Sequence, residues 1–207
     1  MRADTTIPAW AAYTLDRRYG AGMLDIAGGH TLDAVEYLVS EFAYVSARLA
    51  IRHPHTHVAE TSASIDVTSP DHLLLDAVTH DGVPVSAHIH DAKVTDGRTR
   101  IEISGTTGDL AIISGYAGAD GVQMSELRLL GARGGDAWAE LPGDDPLAAT
   151  ISGVQSGNVA RVYAALAQDI RTGTSTVPDF AHGLHVHHLL DAVRRSADSG
   201  TRVRLSH

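Results

Sequence analysis

The chain contains no cysteine in its 207 residues. That removes disulfide scaffolds, thiolate metal sites and a cysteine nucleophile together, and it fits a reducing compartment. An excess of basic charge is missing too. Its 25 acidic and 16 basic residues give a net charge of −9, the reverse of the electrostatic footprint of a protein that binds nucleic acid or an anionic membrane. A small neutral molecule or another protein is the partner this balance favours. No apolar run approaches the roughly eighteen residues of a membrane span. Met1 to Tyr13 has neither the basic run nor the unbroken apolar core of a signal peptide, so a cytoplasmic location is expected. Internal repeats and low-complexity tracts are also absent.

What is present suffices for one substantial core, since 43% of the residues are hydrophobic. Residues 1–18 carry a proline, two aromatics and no sustained period, which predicts an arm or linker remnant before a domain over 19–207. A helix is expected from about Thr31, with an irregular turn before it at Gly28 and Gly29. From Phe42 to Ile51 the period switches to two, the mark of a half-buried strand. Similar alternation runs through Val58–Thr68, Leu73–Thr79, Val83–His90, Arg98–Ser104, Asp109–Ser114 and Val122–Leu130. Asp81-Gly82 between two of these runs is a hairpin signal. Gly131–Gly157 reads as a long surface connection. Helical stripes follow over Asn158–Thr172 and Asp179–Ser199, and Thr201–Leu205 is long enough for a short last strand. Strands that follow one another without intervening helices predict an α+β fold, with an open antiparallel or mixed sheet of about six to eight strands and helices packed on one face.

The segment Gly20-Ala-Gly-Met-Leu-Asp25-Ile-Ala-Gly-Gly-His30-Thr-Leu-Asp33 resembles a signature of the Gfo/Idh/MocA oxidoreductases, a glycine turn followed by His-x-x-Asp opening a helix. Three further segments agree with it in order: Gly105-Thr-Thr-Gly-Asp-Leu110, the helix from Asn158 through Tyr163 to Asp169-Ile170, and Val177-Pro-Asp-Phe180 to Gly200. Within the family the chain is similar to the subgroup related to the fungal galactose-regulon repressor. Asp25 and His30 are five residues apart, one more than in the sugar and inositol dehydrogenases, and in a regular α-helix one residue turns a side chain by about 100°.

The resemblance implies the substrate-binding and oligomerisation domain of an NAD(P)-dependent sugar or polyol oxidoreductase, with a small neutral sugar or polyol as ligand and a homodimer formed through the sheet. It also implies His30 as a proton relay, Asp33 as a residue that orients the ring or receives a substrate hydroxyl, and Asp25 as a third catalytic candidate. An imidazole near its natural pKa suits that proton transfer at neutral pH. On spacing alone, a histidine and an aspartate near a helix start more often form a cap or surface pair.

The family's Rossmann half carries a phosphate loop and a catalytic lysine that this sequence does not show. Gly20-Ala-Gly22 fails the strand-then-helix context of a dinucleotide fingerprint. No cofactor is therefore expected on this chain alone, and NAD(P) only where a separate Rossmann-domain chain supplies it. A non-enzymatic sugar-binding or regulatory protein and a truncated gene product stay open as alternatives. The histidines of His53/His55/His57, His88/His90 and His182/His185/His188 could crowd onto one face each, but none is followed by the carboxylates of a known metal motif, so polar surface is the reading preferred. Trp10, Tyr13 and Tyr19 are read as anchors of the arm, with sugar stacking as the alternative.

Overall fold

Stretches of period two become strands and stretches of period 3.6 become helices along most of the chain, in a computed structural model that describes residues 6–91, 98–114, 121–143, 151 and 153–205. The start of the expected arm, 1–5, and part of the expected connection, 144–150 and 152, lie outside the described residues. In chain order the first elements are β1 (Thr6–Ile7), α1 (Gly29–Val39), β2 (Phe42–Ala50), β3 (His55–Val58), β4 (Ser64–Asp66), β5 (His72–Thr79) and β6 (Pro84–His90). Then come β7 (Arg100–Ser104), β8 (Gly108–Ser114), β9 (Leu127–Arg133), β10 (Ala139–Glu140), α2 (Val154–Thr172), α3 (Phe180–Ser199) and β11 (Val203–Arg204). The fold is α+β, as expected. Among the described residues its strands are divided among three sheets, β1-β3-β4, β10-β9-β8-β7 and β11-β2-β5-β6, and only the β1–β3 pair is parallel.

The contacts fall into two units, Met1–Val94 with Phe180–His207, and Thr95–Asp179. In the first, the β11-β2-β5-β6 sheet turns Val45, Leu73, Leu75 and Ala77 toward Leu32 of α1 and Leu189, Leu190 and Val193 of α3. Alternation fixes this, because successive side chains on a strand leave by opposite faces. Each large apolar side chain buried here contributes about 1.5–3 kcal/mol. A buried hydroxyl ties the layers together: Ser196 Oγ accepts the Ala47 amide at 2.9 Å and donates to the Thr201 carbonyl at 2.7 Å. Residues 9–19 form 3-10 turns, and Ile7 and Leu15 bury themselves against Val67, so this stretch packs onto the β3–β4 hairpin.

Three boundaries moved. Val58–Thr68 is the hairpin β3–β4 rather than one strand, since residues 59–63 turn the chain back at Ser62 (φ 56°). The strand expected at Val122–Leu130 runs from Leu127 to Arg133, after a turn closed by the Met124 and Ser125 amides on the Gly121 carbonyl. Gly131 belongs to that strand, paired with Leu110 and Ala139, and a side chain there would come to 2.8 Å from the Leu141 side chain. The expected connection thus holds the end of β9, all of β10 and the start of α2.

In the second unit β7, β8, β9 and β10 form an antiparallel meander. The α2 stripe of Val159, Val162, Tyr163, Leu166 and Ile170 is exposed, with Ile170 at 75%. Among the described residues, α1 and α3 pack on a sheet, whereas the α2 stripe stays exposed.

Candidate functional site

The segment expected to carry the chemistry begins with a close approach. A side chain at Gly22 would place its Cβ 1.8 Å from Ser69 Oγ, so glycine is needed for packing against the loop before β5. Leu24–Gly28 then forms one π turn, in which the Gly28 amide reaches back five residues to the Met23 carbonyl at 2.8 Å and the Gly29 amide to Leu24. This turn absorbs the additional residue between Asp25 and His30. In an i→i+5 turn, residues five apart occupy the relation that residues four apart have in an α-helix.

Asp25 lies mostly buried, accepts the Gly22 amide at 3.3 Å and is ion-paired with Arg194 of α3. Both residues line a cavity of about 520 Å³, together with Arg17, Thr68 and Asp198 on its polar side and Leu24, Leu49 and Ile51 on its apolar side. His30, the second residue of α1, is exposed. Asp33, one turn further on, meets His182 Nε2 of α3 at 2.8 Å. No hydrogen bond joins Asp25, His30 and Asp33 to one another among the described residues. One helix start holds all three, but Asp25 and Asp33 are each engaged with α3.

A second such contact lies one turn along. Glu36 is buried, with Oε1 accepting the Phe42 amide at 2.8 Å and Oε2 meeting His185 Nε2 at 2.7 Å. The α1 carboxylates at Asp33 and Glu36 therefore face the α3 imidazoles at His182 and His185, an i, i+3 pair against an i, i+3 pair. Neither Glu36 nor Arg194 was a sequence candidate. The matched spacing of acids and histidines was readable; the pairing of Arg194 with Asp25 was not, since 169 residues separate them. Among the described residues no group of three or more histidines or carboxylates is arranged to hold a metal ion. His88 and His90 share a sheet face as their alternation implies, their ring centres 4.5 Å apart, and His72 stacks on His90 at 5.2 Å and lies tilted against His88 at 5.7 Å. Tyr13 and Tyr19 meet edge to face at 6.1 Å, and Trp10 is exposed.

Another motif residue, Asp169 of α2, is a clamp. Its buried carboxylate accepts from Thr174 Oγ1, the Val177 amide, and the amide and hydroxyl of Thr176 at 2.7–3.0 Å, fixing the chain between α2 and α3. Those hydrogen bonds, led by Thr174, hold its pKa down at about 2.

Residues 4–114 match the family described as Gal80p, C-terminal domain. The chain belongs to that family. A relative of the family, the galactose/lactose metabolism regulatory protein GAL80 of Kluyveromyces lactis, is 32% identical over 127 residues, which cover 56% of this chain and 27% of that protein. Among solved structures, a super-repressor mutant of Gal80p from Saccharomyces cerevisiae superposes with a TM-score of 0.79 at 23% identity, covering 99% of this chain and 56% of that one. The oxidoreductase domain protein of Kribbella flavida gives 0.80 at 22%, covering 100% and 56%. Levoglucosan dehydrogenase in complex with NADH and levoglucosan gives 0.76 at 20%, with the same coverage. The Gal80p-type C-terminal domain thus shares its fold with Gfo/Idh/MocA-type oxidoreductases, and this chain spans about half the length of those solved relatives.

Proposed function

We propose that this Gal80p-type domain is the substrate-binding and dimerising half of a cytoplasmic NAD(P)-dependent sugar or polyol oxidoreductase, inactive until a dinucleotide-binding domain completes it. The observation that carries the reading is the cavity of about 520 Å³ that Asp25 lines just before α1, with His30 on the same segment one π turn further along. Asp25 reaches a cavity large enough for a monosaccharide, while His30, exposed on the same segment, is the group suited to take the proton of a substrate hydroxyl. The relative crystallised with NADH and a sugar supports this reaction class for the fold.

Among the described residues, the Gly20-Ala-Gly22 turn does not fit the phosphates of a dinucleotide. Gly20-Ala-Gly22 follows a 3-10 turn rather than a strand, and the α-carbon of Gly22 is packed against Ser69, so this turn cradles no phosphate. The open face of the β11-β2-β5-β6 sheet is the surface proposed for a second copy.

A second reading, a sugar-responsive regulatory protein, is favoured by the engagement of Asp25 with Arg194 and of Asp33 with His182 and by the regulatory relative. Titrating the chain with NADH, NADPH, levoglucosan and L-sorbose tests both. Sugar binding that His30→Ala weakens, with no cofactor binding, is expected. Tight saturable cofactor binding by the chain alone would overturn the first reading, and sugar binding indifferent to His30→Ala would favour the second.

A further inference from the structure

We infer that the Asp25–Arg194 ion pair reads two neighbouring hydroxyls of a neutral sugar, with Arg194 as a specificity-determining residue. The inference rests on the sugar cavity beside Asp25 proposed above. The fold builds the pair from both sides. α3 buries Leu190 and Val193 in the core, so Arg194, the next residue and only half-buried, leaves the helix at the edge of its buried face. The π turn brings Asp25 to meet it, and both line the polar side of the cavity of about 520 Å³. The Asp25 side chain is 13% exposed and that of Arg194 35%, so the carboxylate is largely shielded while part of the Arg194 side chain stays accessible.

Hydrogen bonding within the chain leaves both groups with capacity to spare. Asp25 Oδ1 accepts from Arg194 Nη2, and Oδ2 accepts the Gly22 amide at 3.3 Å, whereas a carboxylate offers about four acceptor sites and a guanidinium five N–H donors. Among the described residues neither group makes a further hydrogen bond or ion pair. A hydroxyl both donates and accepts. One hydroxyl can therefore donate to Asp25 while its neighbour accepts from Arg194, and hydroxyls on adjacent carbons have the short separation that two groups already in contact require. Leu49 and Ile51 on the apolar side of the cavity suit the C–H face of a pyranose. Charge decides between a neutral sugar and an anionic one. Arg17 and Arg194 are balanced around the cavity by Asp25 and Asp198, so a carboxylate or phosphate on the ligand would meet no net positive charge.

The test is calorimetric titration of the chain with levoglucosan, with 3-deoxylevoglucosan, which keeps no two hydroxyls on adjacent carbons, and with glucuronate. Levoglucosan should bind saturably and at least about tenfold more tightly than the deoxy sugar, and glucuronate should bind no more tightly than levoglucosan. Arg194→Gln should remove the discrimination between the first two. Because Arg194→Gln leaves Asp25 without its cation and can loosen the turn, Arg194→Lys is the second variant. It keeps a cation beside Asp25 but not the planar fork, so it should unfold in urea as the wild type does and still discriminate less. Arg195→Gln alters only an exposed i, i+4 pair with Asp191 and should leave all three affinities unchanged. Equal binding of levoglucosan and the deoxy sugar, full discrimination by either Arg194 variant, or tighter binding of glucuronate would overturn the inference. Absence of any sugar binding would overturn it together with the cavity it rests on. The oxidoreductase reading fails separately: sugar binding that discriminates but ignores His30→Ala would sink that reading and leave the inference standing, and sugar binding that His30→Ala weakens but that does not discriminate would do the reverse.

Discussion

α2 and α3 are 19 and 20 residues long and carry similar apolar stripes, yet only one of them uses its stripe in the structure. The second half of α3 buries Leu189, Leu190, Ala192 and Val193 against the sheet and α1, whereas Val159, Val162, Tyr163, Leu166 and Ile170 of α2 stay exposed. Periodicity fixes which face of a helix is apolar, but it does not name what that face meets. Even α3 divides along its length, with Phe180 and Leu184 exposed before the buried half begins.

Substitutions can break this contrast. Leu189→Ala removes a fully buried side chain and should cost about 2–5 kcal/mol in chemical denaturation. Ser196→Ala leaves the Ala47 amide without its partner and should cost about 1–3 kcal/mol by the same measurement. Asp169→Asn reports on the chain after α2 through pH. The folded pKa of about 2 lies below the unfolded 3.8, so Asp169 contributes stability that is complete above the higher value and is lost as pH falls through the lower one. The wild type should lose stability across that window more steeply than Asp169→Asn in acid denaturation. The smallest effect belongs to α2: Leu166→Gln should change stability by less than about 0.5 kcal/mol. A loss as large as that of Leu189→Ala would show that the stripe is buried in solution.

Much of the fold was legible because backbone chemistry is local. Alternation from Phe42 to Ile51 and from Leu73 to Thr79 gave β2 and β5 to within a residue or so. The expected turn before α1 exists as well. Boundaries failed where glycine was read as a stop: Gly131 lies inside β9, paired on both sides, and the side chain of Leu141 lies where its own would stand. The candidate site was half legible. His30 and Asp33 lie at a helix start as expected, but the partner of Asp33, His182, belongs to α3 and stands 149 residues later, and no periodicity reports on that.

The sequence by itself determined most of the element types, the α+β class and the family, because each is written in neighbouring residues and their spacing. Only the tertiary structure decided that Asp25 pairs with Arg194, that Asp33 and Glu36 meet His182 and His185, and that Arg48 and His88 flank Leu74. Those are relations across packed helices and neighbouring strands, set by register and by which faces the core draws together, and they exist only once the chain has closed on itself.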